Sequence, residues 1–117
     1  MKNFEFEKSN TYNLVEIIEY IPSSVICKTI IKKITGNISL MAIDEGETFA
    51  AKISPFDAFI QIIDGVAEII INEKSYVIKT GQSIIIPAHA SNKFIANKRF
   101  KMISTIIKSG YEENILY

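Results

Sequence analysis

This sequence predicts an all-β fold, an antiparallel sandwich or barrel, and three observations lead there. Isoleucine supplies much of the apolar content, and β-branched side chains suit a pleated surface. Short apolar runs follow one another from residue 25 to residue 107, separated by closely spaced turns rich in Gly, Asn and Asp. No stretch between them has room for the helical crossovers that a parallel sheet requires.

The elements follow in order. In "TYNLVEIIEY" (11–20), Leu14, Val15, Ile17 and Ile18 stand at near-helical spacing, with Asn10 or Thr11 placed to cap a short helix. The same run also fits a strand, and "IPSS" (21–24) ends it either way. "VICKTIIKKI" (25–34) then turns through "TGN" into "ISLMAID" (38–44), which "EGE" closes. "FDAFIQII" (56–63) reaches Asp64-Gly65, a two-residue hairpin signal whose glycine allows positive φ, and "VAEIIIN" (66–72) returns. "NEK" leads into "SYVIK" (75–79), and "TGQ" into "SIIIPA" (83–88). "NKFIA" (92–96) and "FKMISTII" (100–107) complete the set.

At 117 residues, without linker, low-complexity tract or repeat, the chain reads as one domain, 1–117. Residues 1–24 form an extension or short helix ahead of a core of about 25–108. Thirteen basic residues balance thirteen acidic ones. That balance argues against nucleic acid as a partner and removes one barrier to self-association. Cys27 is the only cysteine, which excludes an intrachain disulfide or a CxxC zinc site, and it reads as a small buried hydrophobe. No apolar run approaches the roughly 18 residues of a membrane span, and "MKNFEFEKSN" lacks the apolar region of a signal peptide. A cytoplasmic location is the expectation. The sequence shows no GxGxxG or P-loop pattern, and its one histidine, His89, has no evident nucleophile to pair with.

Two punctuated stretches carry more information. Gly46 opens and Gly65 closes "GETFAAKISPFDAFIQIIDG". In "GQSIIIPAHASN", Gly81 is followed after five residues by Pro87, with Asn92 five positions further on. With "VAEIIINEKSYVIKT" between them, these stretches resemble the two motifs of the cupin superfamily, and in particular its small single-domain conserved-barrel (cupin type 2) proteins. The likeness covers residues 36–107, and more loosely 13–35. It implies a single-domain, cupin-like antiparallel β-barrel of the jelly-roll type.

The family's metal ligands are a His-x-His pair and a glutamate in the first motif and a histidine in the second. Counted back seven positions from Gly65, the glutamate position holds Ala58. The histidine pair falls on Lys52 and Ser54, or on Ala51 and Ile53 with the longer spacing, and the last histidine position holds Asn92. Asp57 and Gln61 have the opposite strand parity to Ala58 and should face away, while His89 occupies a position where the family usually has glycine. Lys52 would put a cation where the metal sits. No metal and no cofactor are therefore expected.

The resemblance places Lys52, Ser54, Ala58, Asn92 and Phe94 around an open barrel end, where a small anionic or polar ligand would bind. Lys52 could instead snorkel to water or, if desolvated, act as a base or Schiff-base nucleophile. Asn92 could equally serve the turn that precedes it. Phe49, Phe56, Phe59 and Phe94 suit a core or an interface better than a stacking box. "VICKTIIKKI" and "FKMISTII" are apolar on both parities, which favours a two-fold homodimer over a terminal helix or tail lying on those faces. The expectation is a metal-free small-molecule-binding or structural module, leaning away from an enzyme. The alternative is a metal-independent isomerase or lyase using Lys52 on a small carbonyl or sugar-derived substrate.

Overall fold

In the computed structural model, which describes residues 5–111, a single long strand organises the rest. A four-residue helix α1 (Leu14–Ile17) comes first. Then follow β1 (Val25–Lys33), β2 (Gly36–Ile43), β3 (Thr48–Ala50), β4 (Ala58–Ile71), β5 (Lys74–Lys79), β6 (Ser83–Ile86), β7 (Asn92–Ile95) and β8 (Phe100–Ile107). All pairings are antiparallel. One sheet runs β1-β2-β8-β4-β6 and the other β3-β7-β4-β5, so β4 serves both.

The sharing of β4 corrects the expected hairpin at Asp64-Gly65. The two strands predicted on either side of it are one strand, and the short β3, which no sequence signal marked, is a separate element. Up to Gly65 the strand pairs with β6 and β8, and from Val66 onward it pairs with β5 and β7. Between Ile62 and Asp64 its register with β8 slips, which is a β-bulge. Gly65 has φ +86°, and a Cβ there would lie 2.2 Å from the carbonyl oxygen of Arg99. The carbonyl of Gly65 also accepts the backbone N–H of Thr80 at 3.0 Å. The glycine is needed, but for the close approach of β8 rather than for a reversal of the chain. The reversal comes later, at Asn72 and Glu73, both with positive φ (47° and 72°), between β4 and β5.

Alternation along β4 sends Ile60, Ile62, Ala67, Ile69 and Ile71 inward. There they meet Ile43, Ile78, Ala96 and Phe100 to fill the space between the sheets at one end of the barrel. Towards the other end the filling thins, and the barrel opens.

A second, smaller core lies outside the first sheet. Ile18, Leu40 and Ala42 are fully buried there, packed with Phe6, Leu14, Ile17, Tyr20, Ile26, Ile30, Ile63 and Ile103. The N-terminal segment therefore covers much of the second apolar parity of β1 and β8. Its helix is short because Ile18 leaves it in extended conformation to reach that core. The cap is Asn13, whose carbonyl accepts the N–H groups of Glu16 and Ile17 at 3.0 and 3.1 Å, not Asn10 or Thr11. Asn10 instead donates to the Glu7 carboxylate at 3.2 Å.

Among the described residues, one outer row stays uncovered. Through the strand registers, Ile85, Phe59, Thr105, Ile38 and Ile31 lie side by side across five strands. Ile85 is 60% exposed, Ile31 42% and Phe59 38%. Among the described residues no helix is long and apolar enough to cross a membrane.

Candidate functional site

The open end of the barrel holds a cavity of about 610 Å³, within the range of small-ligand pockets. Its floor belongs to the core: Ile60, Met41 and Met102 rise from β4, β2 and β8, and Phe94 and Ile86 from β7 and β6. Phe49 and Phe94 are register partners on β3 and β7, with ring centroids 6.0 Å apart. Phe56 adds a third aromatic wall and meets Tyr111 edge-on at 5.6 Å.

Lys52, Ser54, Ala58, Asn92 and Phe94 all line this cavity. Ala58 is the first residue of β4 and faces inward with Ile60. Lys52 and Ser54 lie in the irregular segment between β3 and β4, which hydrogen bonds hold in place. The Ser54 carbonyl accepts the N–H of His89 at 2.7 Å, and its Oγ accepts the N–H of Phe56 at 3.1 Å. The Asp57 carboxylate accepts the N–H of Ala88 at 2.8 Å, and the Asp57 N–H donates to the Tyr111 hydroxyl at 2.8 Å. The Ala88 N–H first, and the nearby Tyr111 hydroxyl after it, hold the Asp57 carboxyl below its ordinary value. Lys52 itself is exposed at the rim, and it is the only charged side chain among the described residues lining the cavity.

Asn92 opens β7 beside Phe94. Its Nδ2 makes a long contact to the carbonyl of Ala90 at 3.5 Å. Its Oδ1 is buried and accepts no hydrogen bond among the described residues.

The far wall was not read from the sequence. Cys27, Asn37, Ser39 and Ser104 line it, from β1, β2 and β8. Ser39 and Ser104 are register partners, and Ser104 in turn pairs with Ile60. Cys27 is exposed, not a buried hydrophobe, because β1 is the edge strand of its sheet and its inward face looks into the open cavity. The signal that could have found Asn37 and Ser39 is alternation from Met41 along β2. In "ISLMAID" it is masked by Ile38, Leu40 and Ala42, apolar on the other face because the N-terminal segment covers them.

His89 lies outside the cavity lining, exposed, with φ +69°. Its left-handed backbone explains why glycine suits that position. Asp57 and Gln61 do not line the cavity either, as strand parity requires.

A family-type transition metal needs imidazole, thiolate or carboxylate donors that converge. The described lining offers one thiol, hydroxyls, amides and an ammonium, and no three His, Cys, Asp or Glu side chains converge among the described residues. This donor set does not fit such a metal.

No family model matches the chain, and neither does any curated protein. Solved structures do. A conserved protein of unknown function from Streptococcus pyogenes superposes with a TM-score of 0.84 at 24% identity, covering 94% of this chain and 97% of that one. A cupin superfamily protein from Desulfitobacterium hafniense gives 0.82 at 20% identity over 90% and 96%. A cupin 2 conserved barrel domain protein from Leptotrichia buccalis gives 0.80 at 26% identity, over 83% of this chain and 47% of that longer one. With two shared sheets, the glycine and proline punctuation of both motifs and these superpositions together, the chain has the cupin fold.

Proposed function

We propose that this barrel binds a small amphipathic anion without a metal, its apolar body among Phe49, Phe56, Phe94 and Ile60 and its charged head at Lys52. The observation that carries the reading is the open, largely apolar cavity of about 610 Å³, with Lys52 the one cation at its rim among the described residues. The isomerase or lyase alternative needs Lys52 desolvated, and Lys52 is exposed. Naphthalene-2-sulfonate titrated into 15N-labelled protein tests the binding reading. Amide resonances of Phe49, Asn92 and Phe94 should shift, Lys52→Ala should weaken binding about fivefold, and Ala58→Leu, which fills the cavity, should abolish it. Shifts confined to the outer face of the barrel, or equal affinity in all three proteins, would overturn it.

We propose also that the row Ile85–Phe59–Thr105–Ile38–Ile31 packs on a second copy. A two-fold axis at Thr105 lays Phe59 over Ile38 and Ile85 over Ile31, so apolar meets apolar in both halves. Zero net charge offers no opposition.

A further inference from the structure

Well inside the cavity, one wall carries two hydroxyls where a barrel interior is usually apolar. Strand register sets the inward residues of the first sheet in rows. Asn37, Ile106 and Ala58 form the row on the side of Ser54 and Lys52, since Ala58 begins β4. Ser39, Ser104 and Ile60 form the next, and Met41, Met102 and Ile62 the one below it. Two residues along a strand span about 7 Å, so Ser39 and Ser104 stand that far inside the first row. Their neighbour Ile60 is 1% exposed. Both serines line the cavity, and neither hydroxyl makes a hydrogen bond among the described residues. Among those residues only Oδ1 of Asn92 is both buried and unpartnered, so the two serine oxygens are open to the cavity. Solvent can serve them while the cavity stands open. An apolar ligand that fills it removes the solvent and leaves them bare, at the cost of burying unpaired polar groups. A bond between the two hydroxyls still leaves one proton without an acceptor. The other sheet presents only the rings of Phe49 and Phe94 at this level.

We infer that the cavity selects acids that are polar at both ends, with an anionic head at Lys52, an apolar body, and a far-end hydroxyl that meets Ser39 and Ser104. The inference rests on the binding reading above and narrows it to a class: hydrophobic acids hydroxylated at the end remote from the charge, as against plain hydrophobic acids. A ligand hydroxyl both donates and accepts, so it takes the free proton of the serine pair and gives its own to a serine oxygen. A site that pairs a substrate hydroxyl discriminates against the analogue without it, because binding that analogue seals the site's own groups away unpaired.

Three probes at pH 7 test this: naphthalene-2-sulfonate, its 6-hydroxy derivative with the hydroxyl at the far end, and its 1-hydroxy derivative with the hydroxyl beside the head. Affinities come from NMR titration. Wild type should bind the 6-hydroxy probe about tenfold tighter than the parent, and the 1-hydroxy probe no tighter than the parent. This comparison needs no variant. The double substitution Ser39→Ala with Ser104→Ala removes two oxygens that no described residue bonds, so the fold should stand. It should bind the parent at least as well as wild type and lose the preference for the 6-hydroxy probe. Lys52→Ala should weaken all three probes alike. Equal affinity of wild type for parent and 6-hydroxy probe, an equal gain from the 1-hydroxy group, or a preference that persists in the double variant would overturn the inference and leave the binding reading standing. Failure of all three probes to bind wild type would sink the binding reading itself, and the inference with it.

Discussion

The phenol of Tyr20 donates to the Asp64 carboxylate at 2.6 Å, joining the end of the N-terminal segment to the bulge in β4. The Arg99 guanidinium stands 4.5 Å from the centre of the same ring and the Lys101 ammonium 4.8 Å from it. Lys101 also donates to the carbonyl of Val15, in the helix. One aromatic ring thus connects three parts of the chain. Burial, and after it the bond to Asp64, holds the phenol well above its ordinary value of 10.0. Because the folded value is raised, the stabilisation is complete below about pH 10 and is lost as pH rises through the folded value. Tyr20→Phe should lower stability by about 1 kcal/mol at neutral pH, and the gap to wild type should close in alkali. Urea unfolding at several pH values measures both.

Gly65→Ala should cost on the order of 3 kcal/mol or prevent folding, since the new Cβ meets the Arg99 carbonyl as well as an unfavourable φ. Gly65→Asn separates bulge from hairpin. Asn is tolerated at a hairpin tip but fails here as badly as Ala, and a urea midpoint near that of wild type would contradict the close approach.

At the true reversal the opposite holds. Asn72 and Glu73 both have positive φ, the pattern that favours Asn-Gly. Glu73→Gly should raise stability by about 0.5 kcal/mol and the melting temperature by about 2 °C.

The loops around the cavity should loosen in acid. The folded-state value of Asp57 lies below its ordinary 3.8, so its contribution is present above that pH and is lost as pH falls through the folded value. Asp57→Asn should melt lower than wild type at neutral pH and draw level once the pH has fallen through the folded-state value of Asp57. Hydrogen exchange at the Ala88 amide should quicken in the variant at neutral pH.

Sedimentation should show a dimer for wild type and a monomer for Phe59→Lys or Ile85→Lys, with the cavity unaffected, because both side chains lie on the outer face. A monomeric wild type would remove the proposed pairing.

How far the sequence could be read followed the range of the forces involved. Local alternation and turn chemistry placed most strands, and the spacing of Gly46, Gly65, Gly81 and Pro87 carried the fold. Asp64-Gly65 was misread because hairpin tip and bulge share the same local requirement, and only the distant Arg99 backbone distinguishes them. Lys52, Ser54, Ala58, Asn92 and Phe94 were brought together by motif spacing. Ser39, Ser104 and Cys27 were not, because their facing depends on which side of the sheet the N-terminal segment covers. The apolar residues on both parities of β1 and β8 were read as a dimer signal. Part of that surplus is satisfied within the chain, under Ile18, and the row through Phe59 is what remains.

The place of β8 has a consequence for biosynthesis. The β1–β2 hairpin meets the rest of the first sheet only through β8, and β8 is made after every other described strand. A nascent chain therefore carries an isoleucine-rich hairpin with both edges open, that of β2 remaining so until Phe100–Ile107 leaves the ribosome. Closing so distant a pair costs chain entropy before any contact repays it, which makes assembly slow by nature. Through that interval the exposed edge is the segment most in need of a chaperone, and a chain stalled before Phe100 is an aggregation hazard rather than a smaller barrel.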